Sequence, residues 1–185
     1  WDSWIPNHPE FGTLRPWEAN PDNIKNFYND GIENSTTIAF NSGSDKASLR
    51  GSGRLINETL PFPNTERNQV DLNINGNVKI SDNFTAFASL NYQFQKTLNF
   101  PVNGYGGLGA NFNQWWQRQL DMDRLERNYF FEGQYYSWNR RSARNATPLY
   151  WDAPHFDFYG DQTNRRKNVM YGNFGLDYQL SLIHI

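Results

Sequence analysis

The stretch QVDLNINGNVKISDNFTAFASLNYQFQ (69–95) alternates polar and apolar residues, breaks at Ser81-Asp82-Asn83, and resumes the alternation. Successive side chains of a strand point to opposite faces, so the pattern predicts two strands joined by a turn. Val70, Leu72, Ile74, Val78 and Ile80 share one face, with Gly76 in register. Asp71, Asn73, Asn75, Asn77 and Lys79 share the other. After the turn, Phe84, Ala86, Ala88, Leu90, Tyr92 and Phe94 oppose Thr85, Ser89, Asn91, Gln93 and Gln95, with Phe87 the exception. About 11 residues at about 3.3 Å each span roughly 36 Å, and a tilt of about 45° leaves about 25 Å of height. That height suits strands that are apolar toward lipid and polar toward a wet lumen.

Three more segments follow the rule. In 35–42, Ile38 and Phe40 oppose Thr37 and Ala39. In 47–56, Ala47, Leu49 and Leu55 oppose Ser48, Arg50, Ser52 and Arg54. In 168–178, Met170, Phe174, Leu176 and Tyr178 oppose Tyr171, Asn173 and Asp177. Arginines repeated on an inner face are costly in a dry core and comfortable in water. The connections 43–46, 57–68, 81–83 and 97–167 alternate short and long, as barrel turns and loops do. A structureless connection of the last length is unusual inside a compact domain.

Composition narrows the class. Of 185 residues 37% are apolar and 17% aromatic, too aromatic for a disordered chain. The absence of cysteine excludes a disulfide scaffold and a thiolate zinc site. A net charge of −2 gives no electrostatic argument for nucleic acid. No apolar run is long enough for a membrane-spanning helix, which leaves barrel strands untouched.

The expected fold is all-β: an antiparallel transmembrane β-barrel fragment of about five strands with long extracellular loops, one carrying a short helix. On this reading 1–34 is an extracellular loop segment and 35–179 the partial barrel. Residues 180–185, LSLIHI, read as the translation of a sequencing-library adaptor. The rival is a secreted all-β carbohydrate-binding module, because a soluble sandwich also alternates.

Several stretches resemble the SusC/RagA-type TonB-dependent outer-membrane transporters of Bacteroidota: NPDNIKNFYNDG (20–31), SGSDKASLRGSG (42–53), LPFPNTERNQVDLNINGNVKISDNF (60–84), NQWWQRQLDMDRL (113–125) and PLYWDAPHFDFYGD (148–161). The resemblance implies a barrel of about 22 strands plugged by an N-terminal domain. It further implies import of oligosaccharides or peptides, driven by the TonB complex and capped by a SusD-like surface lipoprotein, in the outer-membrane lipid. The plug and the TonB-contacting segment fall outside this sequence. No cofactor and no enzymatic activity are expected.

The seven tryptophans all lie outside the predicted strands. Trp115, Trp116, Tyr135, Tyr136, Trp138 and Trp151 are the candidates for contact with a ligand or the lipoprotein, since aromatic faces suit sugar rings and protein interfaces alike. The alternative is that they pack the loop. A helix is predicted over 114–126, capped by Asn113 or Asn111. Gly104-x-Gly106-x-x-Gly109 has the dinucleotide spacing, but that fingerprint needs a buried parallel strand before it and a helix opening at its glycines; the strand here is amphipathic and ends at Phe100-Pro101, so the motif reads as a loop apex. Asp121/Asp123 and Asp157/Asp161 are carboxylate pairs; glycoside hydrolysis needs a separation of about 5–10 Å that sequence spacing does not fix. His8 and His155 are too isolated for a metal site. Arg140, Arg141, Arg144 and the run Arg165-Arg166-Lys167 read as solvated charge or as contacts to anionic glycolipid.

Overall fold

The computed structural model describes residues 2–142 and 144–180, so the expected adaptor segment lies outside the described residues apart from Leu180. The chain forms two compact units, one of long strands and one of loop segments.

The first unit is an antiparallel sheet of β1 (Ile32–Gly43), β2 (Ala47–Thr59), β3 (Glu66–Ser81), β4 (Phe84–Leu98) and a last long strand, Arg165–Tyr178. Neighbours in the sheet are neighbours in the chain, with the last strand beside β4. All five predicted strands are present, and each extends past its predicted span at one end or both; β1 starts at Ile32 rather than Ser35. Apolar alternation marks only the middle of each strand, whereas the backbone ladder continues through polar rows. Glu33 pairs with Glu58, and Glu58 with Arg67. Arg67 bridges both carboxylates, at 3.6 Å to Glu33 and 2.5 Å to Glu58.

The faces are the predicted ones. On the polar face Gln69 and Gln93 both donate to Asp71, at 2.9 and 3.0 Å, and Arg54 Nε donates to Ser35 at 2.9 Å. Asn73 and Asn91 are hydrogen-bonded, as are Ser89 and Asn173. The exception Phe87 sits opposite Gly175, and its ring fills the space that a side chain there would take. On the other face Ile38, Leu55, Ile74, Leu90 and Phe174 are between 46% and 86% exposed.

The second unit comprises Trp1–Gly31, Leu60–Thr65 and Leu98–Asn164. It has its own apolar interior. Phe27, Leu108, Phe112, Met122 and Phe158 form one cluster; Leu120, Leu125, Trp138, Trp151 and Ala153 form another. Each fully buried large apolar side chain contributes about 1.5–3 kcal/mol. Asparagines join segments distant in sequence: Asn99 Nδ2 donates to the carbonyls of Asn64 (2.6 Å) and Phe158 (2.9 Å).

The predicted helix over 114–126 is not formed. A short turn of α-helix, Leu108–Ala110, runs into a π-turn, Asn111–Trp115; the chain extends at Trp116, and a new helix spans Met122–Asn128. The N-terminal arm causes the break. Asn20 N–H donates to Arg118 O at 2.9 Å, Asn20 Nδ2 to Leu120 O at 3.0 Å, and the Asn23 amide also donates to Leu120 O. Asn23 Oδ1 accepts from Met122 N–H at 2.7 Å. These bonds occupy groups that a continuous helix would have paired. The cap of Met122–Asn128 is therefore Asp121, accepting from Arg124 N–H at 3.1 Å, and not Asn111 or Asn113.

Candidate ligand-binding cleft

Three candidate aromatics converge in the loop unit. Trp138 and Trp151 are anchored in the second apolar cluster, and Trp115 ends the π-turn, half exposed. Together with Tyr105 and Tyr150 they line a cleft of about 490 Å³, within the roughly 300–1,000 Å³ of small-ligand sites. Trp115 and Trp151 have centroids 6.1 Å apart and are tilted by 33°; Tyr105 lies 5.6 Å from Trp151.

The backbone under the cleft is tightly tied. Ser137 Oγ donates to Trp151 O at 2.5 Å, Asn139 Nδ2 to Leu149 O at 2.5 Å, and Leu149 N–H to Asn139 O at 2.9 Å. Trp151 N–H then donates back to Leu149 O at 2.7 Å, which places Tyr150 at the centre of a three-residue turn with φ +63°. A bulky residue there is strained by about 1–3 kcal/mol. The turn leaves the Tyr150 side chain 88% exposed.

Beside the tyrosines, the side-chain amides of Gln117 and Asn139 line the cleft. Gln117 Oε1 accepts from Gln119 at 2.5 Å, and neither Gln117 Nε2 nor Asn139 Oδ1 takes part in the bonds above. Among the described residues no charged side chain lines it. Flat aromatic faces edged by amides and lacking charge can stack on the apolar faces of a neutral sugar and hydrogen-bond its hydroxyls.

The other three candidates lie elsewhere. Trp116 packs against both apolar clusters, 5.3 Å from Phe112 and 5.9 Å from Trp138. Tyr135 and Tyr136 line a separate cavity of about 450 Å³ with Pro6 and Pro148, and Tyr135 rests edge-on against Phe156 at 4.5 Å. Tyr105, Tyr150, Gln117 and Asn139 are the members that sequence reasoning missed. Tyr105 sits within the glycine-rich apex, between Gly104 and Gly106, where no strand or helix period marks its ring. The positive φ of Tyr150 has no signal in the sequence.

A further cavity of about 220 Å³ gathers Asp152, Asp157 and Asp161 with Leu108 and Phe158. Burial first, then the neighbouring Asp152 and Asp161, pushes the Asp157 carboxyl up to about 7; burial also raises Asp152. Asp121 is raised by burial and by Asp123, in keeping with a cap against packed chain. His155 is buried against Phe27, and burial lowers its pKa against the opposing pull of Glu126 and Asp123. His8 accepts from Glu10 N–H through Nδ1 at 3.1 Å, so Nε2 donates to Asn128 at 2.9 Å. Among the described residues no cluster of three or more His, Asp or Glu could hold a metal ion. Arg140, read from sequence as solvated charge or a glycolipid contact, lies over the Trp4 ring at 3.3 Å. No protein-family model and no curated protein matches the chain.

Proposed function

We propose that this chain is part of a SusC/RagA-type outer-membrane β-barrel transporter, importing oligosaccharides or peptides with the TonB complex and a SusD-like surface lipoprotein. The observation that carries the membrane part is the pairing of two unlike faces on one sheet. One face is hydrogen-bonded polar side chains; the other is an uncovered apolar band from Ile38 and Leu55 to Ile74, Leu90 and Phe174. Soluble monomers rarely expose apolar patches beyond a few hundred Å², while a bilayer rewards such a band. The turns 44–46 and 82–83 and the segments of the loop unit attach to opposite ends of the strands, as short turns and long loops do in such barrels. The transport role and its partners rest on the family resemblance. In this reading the aromatic cleft holds the imported ligand, with no covalent chemistry.

A lysine scan in detergent micelles tests the assignment. Ala88→Lys and Leu90→Lys should abolish folding, and Thr85→Lys should be tolerated. Equal tolerance of both faces sinks the membrane reading. A secreted carbohydrate-binding module is the second reading. It is favoured by one observation: the cleft is built wholly from the loop unit. A protein that stays monomeric without detergent and binds glycan would be that module.

A further inference from the structure

Lys96 and Arg166 stand directly opposite one another in the ladder between β4 and the last strand. Both belong to the apolar face, Lys96 in alternation with Leu90, Tyr92 and Phe94, Arg166 with Met170, Phe174 and Leu176. Both are exposed. Like charges in directly opposed positions destabilise a sheet. Among the described residues neither cation has an ion-pair partner, Glu66 at the same end of this face included.

The level of the pair along the strands points to its ligand. On this face the apolar residues of β4 and the last strand end at Phe94 opposite Asn168; on β1 to β3 they end at Asn34 opposite Asn57 and Asn57 opposite Asn68. The Tyr92 hydroxyl donates to Asn168 Oδ1 at 3.1 Å. Tyrosine with its ring on apolar neighbours and its hydroxyl on a polar partner marks the membrane–water interface. Lys96 and Arg166 are the next side chains outward, at headgroup depth. Arg165 and Lys167 alternate to the opposite face, opposite Thr97 and Gln95, and belong to a different environment.

We infer that Lys96 and Arg166 bind the phosphate of an anionic membrane lipid on the bilayer side of the sheet, an inference that rests on the membrane-spanning reading. The guanidinium offers a two-pronged donor to phosphate oxygens and the ammonium a point charge. The phosphate removes the repulsion between them. A lipid fits better than free phosphate, because two exposed cations in water are screened, whereas acyl chains gain grip on Phe94 and Met170 just inside.

The test uses the protein in neutral detergent, with lipid retention read by native mass spectrometry and stability by thermal unfolding. The probes are phosphatidylglycerol, a diphosphorylated glycolipid, phosphatidylcholine and inorganic phosphate. The two anionic lipids should bind and stabilise, and Lys96→Gln with Arg166→Gln should weaken them by about tenfold, to the level of phosphatidylcholine. Without lipid, Lys96→Gln alone should leave the protein at least as stable as the parent, since it removes a like-charge contact. That reversal of sign is what a merely structural pair would not show. Equal binding of charged and neutral lipid overturns the site, as does an anionic preference surviving in the double variant. Equal stabilisation by millimolar inorganic phosphate overturns the lipid in favour of a free-anion site. A protein that embeds in micelles yet fails these tests loses the lipid site alone; one soluble in plain buffer loses the membrane reading as well.

Discussion

Gly172 of the last strand lies so close to the backbone carbonyl of Ser89 in β4 that a β-carbon on residue 172 would overlap it. At Gly175 the added atom would meet only the ring of Phe87, its partner across the same ladder. A carbonyl in the ladder cannot step aside without breaking strand pairing, whereas a ring can rotate. Gly172→Ala should therefore cost about 1–3 kcal/mol and Gly175→Ala less than about 1 kcal/mol. Denaturant titrations of the two variants in micelles would compare them; a larger loss at 175 contradicts the argument.

Tyr150 links stability and binding with opposite signs. Its left-handed backbone is strained and its ring is solvent-facing beside the cleft. Tyr150→Gly should stabilise the loop unit by up to about 1 kcal/mol by relieving strain. It should weaken a neutral oligosaccharide about tenfold by removing a stacking face. Calorimetric titration beside thermal unfolding reads both. Trp115→Ala should weaken binding without any stabilisation.

Asp157 gives a pH dependence of the less common sign. Its carboxyl is raised from an ordinary 3.8 to about 7, chiefly by burial. Folding therefore takes up a proton at Asp157 between these values, so the stability that Asp157 contributes is fullest below about pH 4 and is lost as pH rises toward 7. Tryptophan emission follows the loop unit, because every Trp among the described residues lies outside the long strands. Asp157→Asn should flatten most of the slope between pH 4 and 7; Asp152 and Asp121, also raised by burial, add to the remainder, and His155, lowered by burial, opposes it. A slope unchanged in the variant would remove Asp157 as its source.

Asn23 interrupts the helix that the local sequence favours. Asn23→Ala removes the bonds to Leu120 O and Met122 N–H, both in buried surroundings, and should cost about 1–3 kcal/mol. Hydrogen exchange should show faster amides across 118–122 than in the parent. Unchanged protection there would mean that packing of Leu120 and Met122, not the amide, holds the break.

The long strands were legible because alternation is a local signal, and each of the five appears with its faces as read. The polar rows beyond them were not, because Glu33 opposite Glu58 and Arg67 is a matter of pairing and carries no apolar period. The aromatic candidates were legible as a group but not individually. Trp115 and Trp116 are adjacent in the chain, yet one is half exposed on the cleft and the other sits between two apolar clusters.

What the sequence alone determined is the number of long strands, the order of short and long connections and the two unlike faces. All of these follow from the two-residue period and its turn formers. Tertiary structure decided where the helix breaks, which rings meet, and which charges face one another. Those depend on contacts between positions far apart in the chain: Asn23 against Leu120, Trp138 against Trp151, Lys96 against Arg166. A period carries no information about such contacts, because the segments between them can take any path until the packing and hydrogen bonds of the folded loops select one.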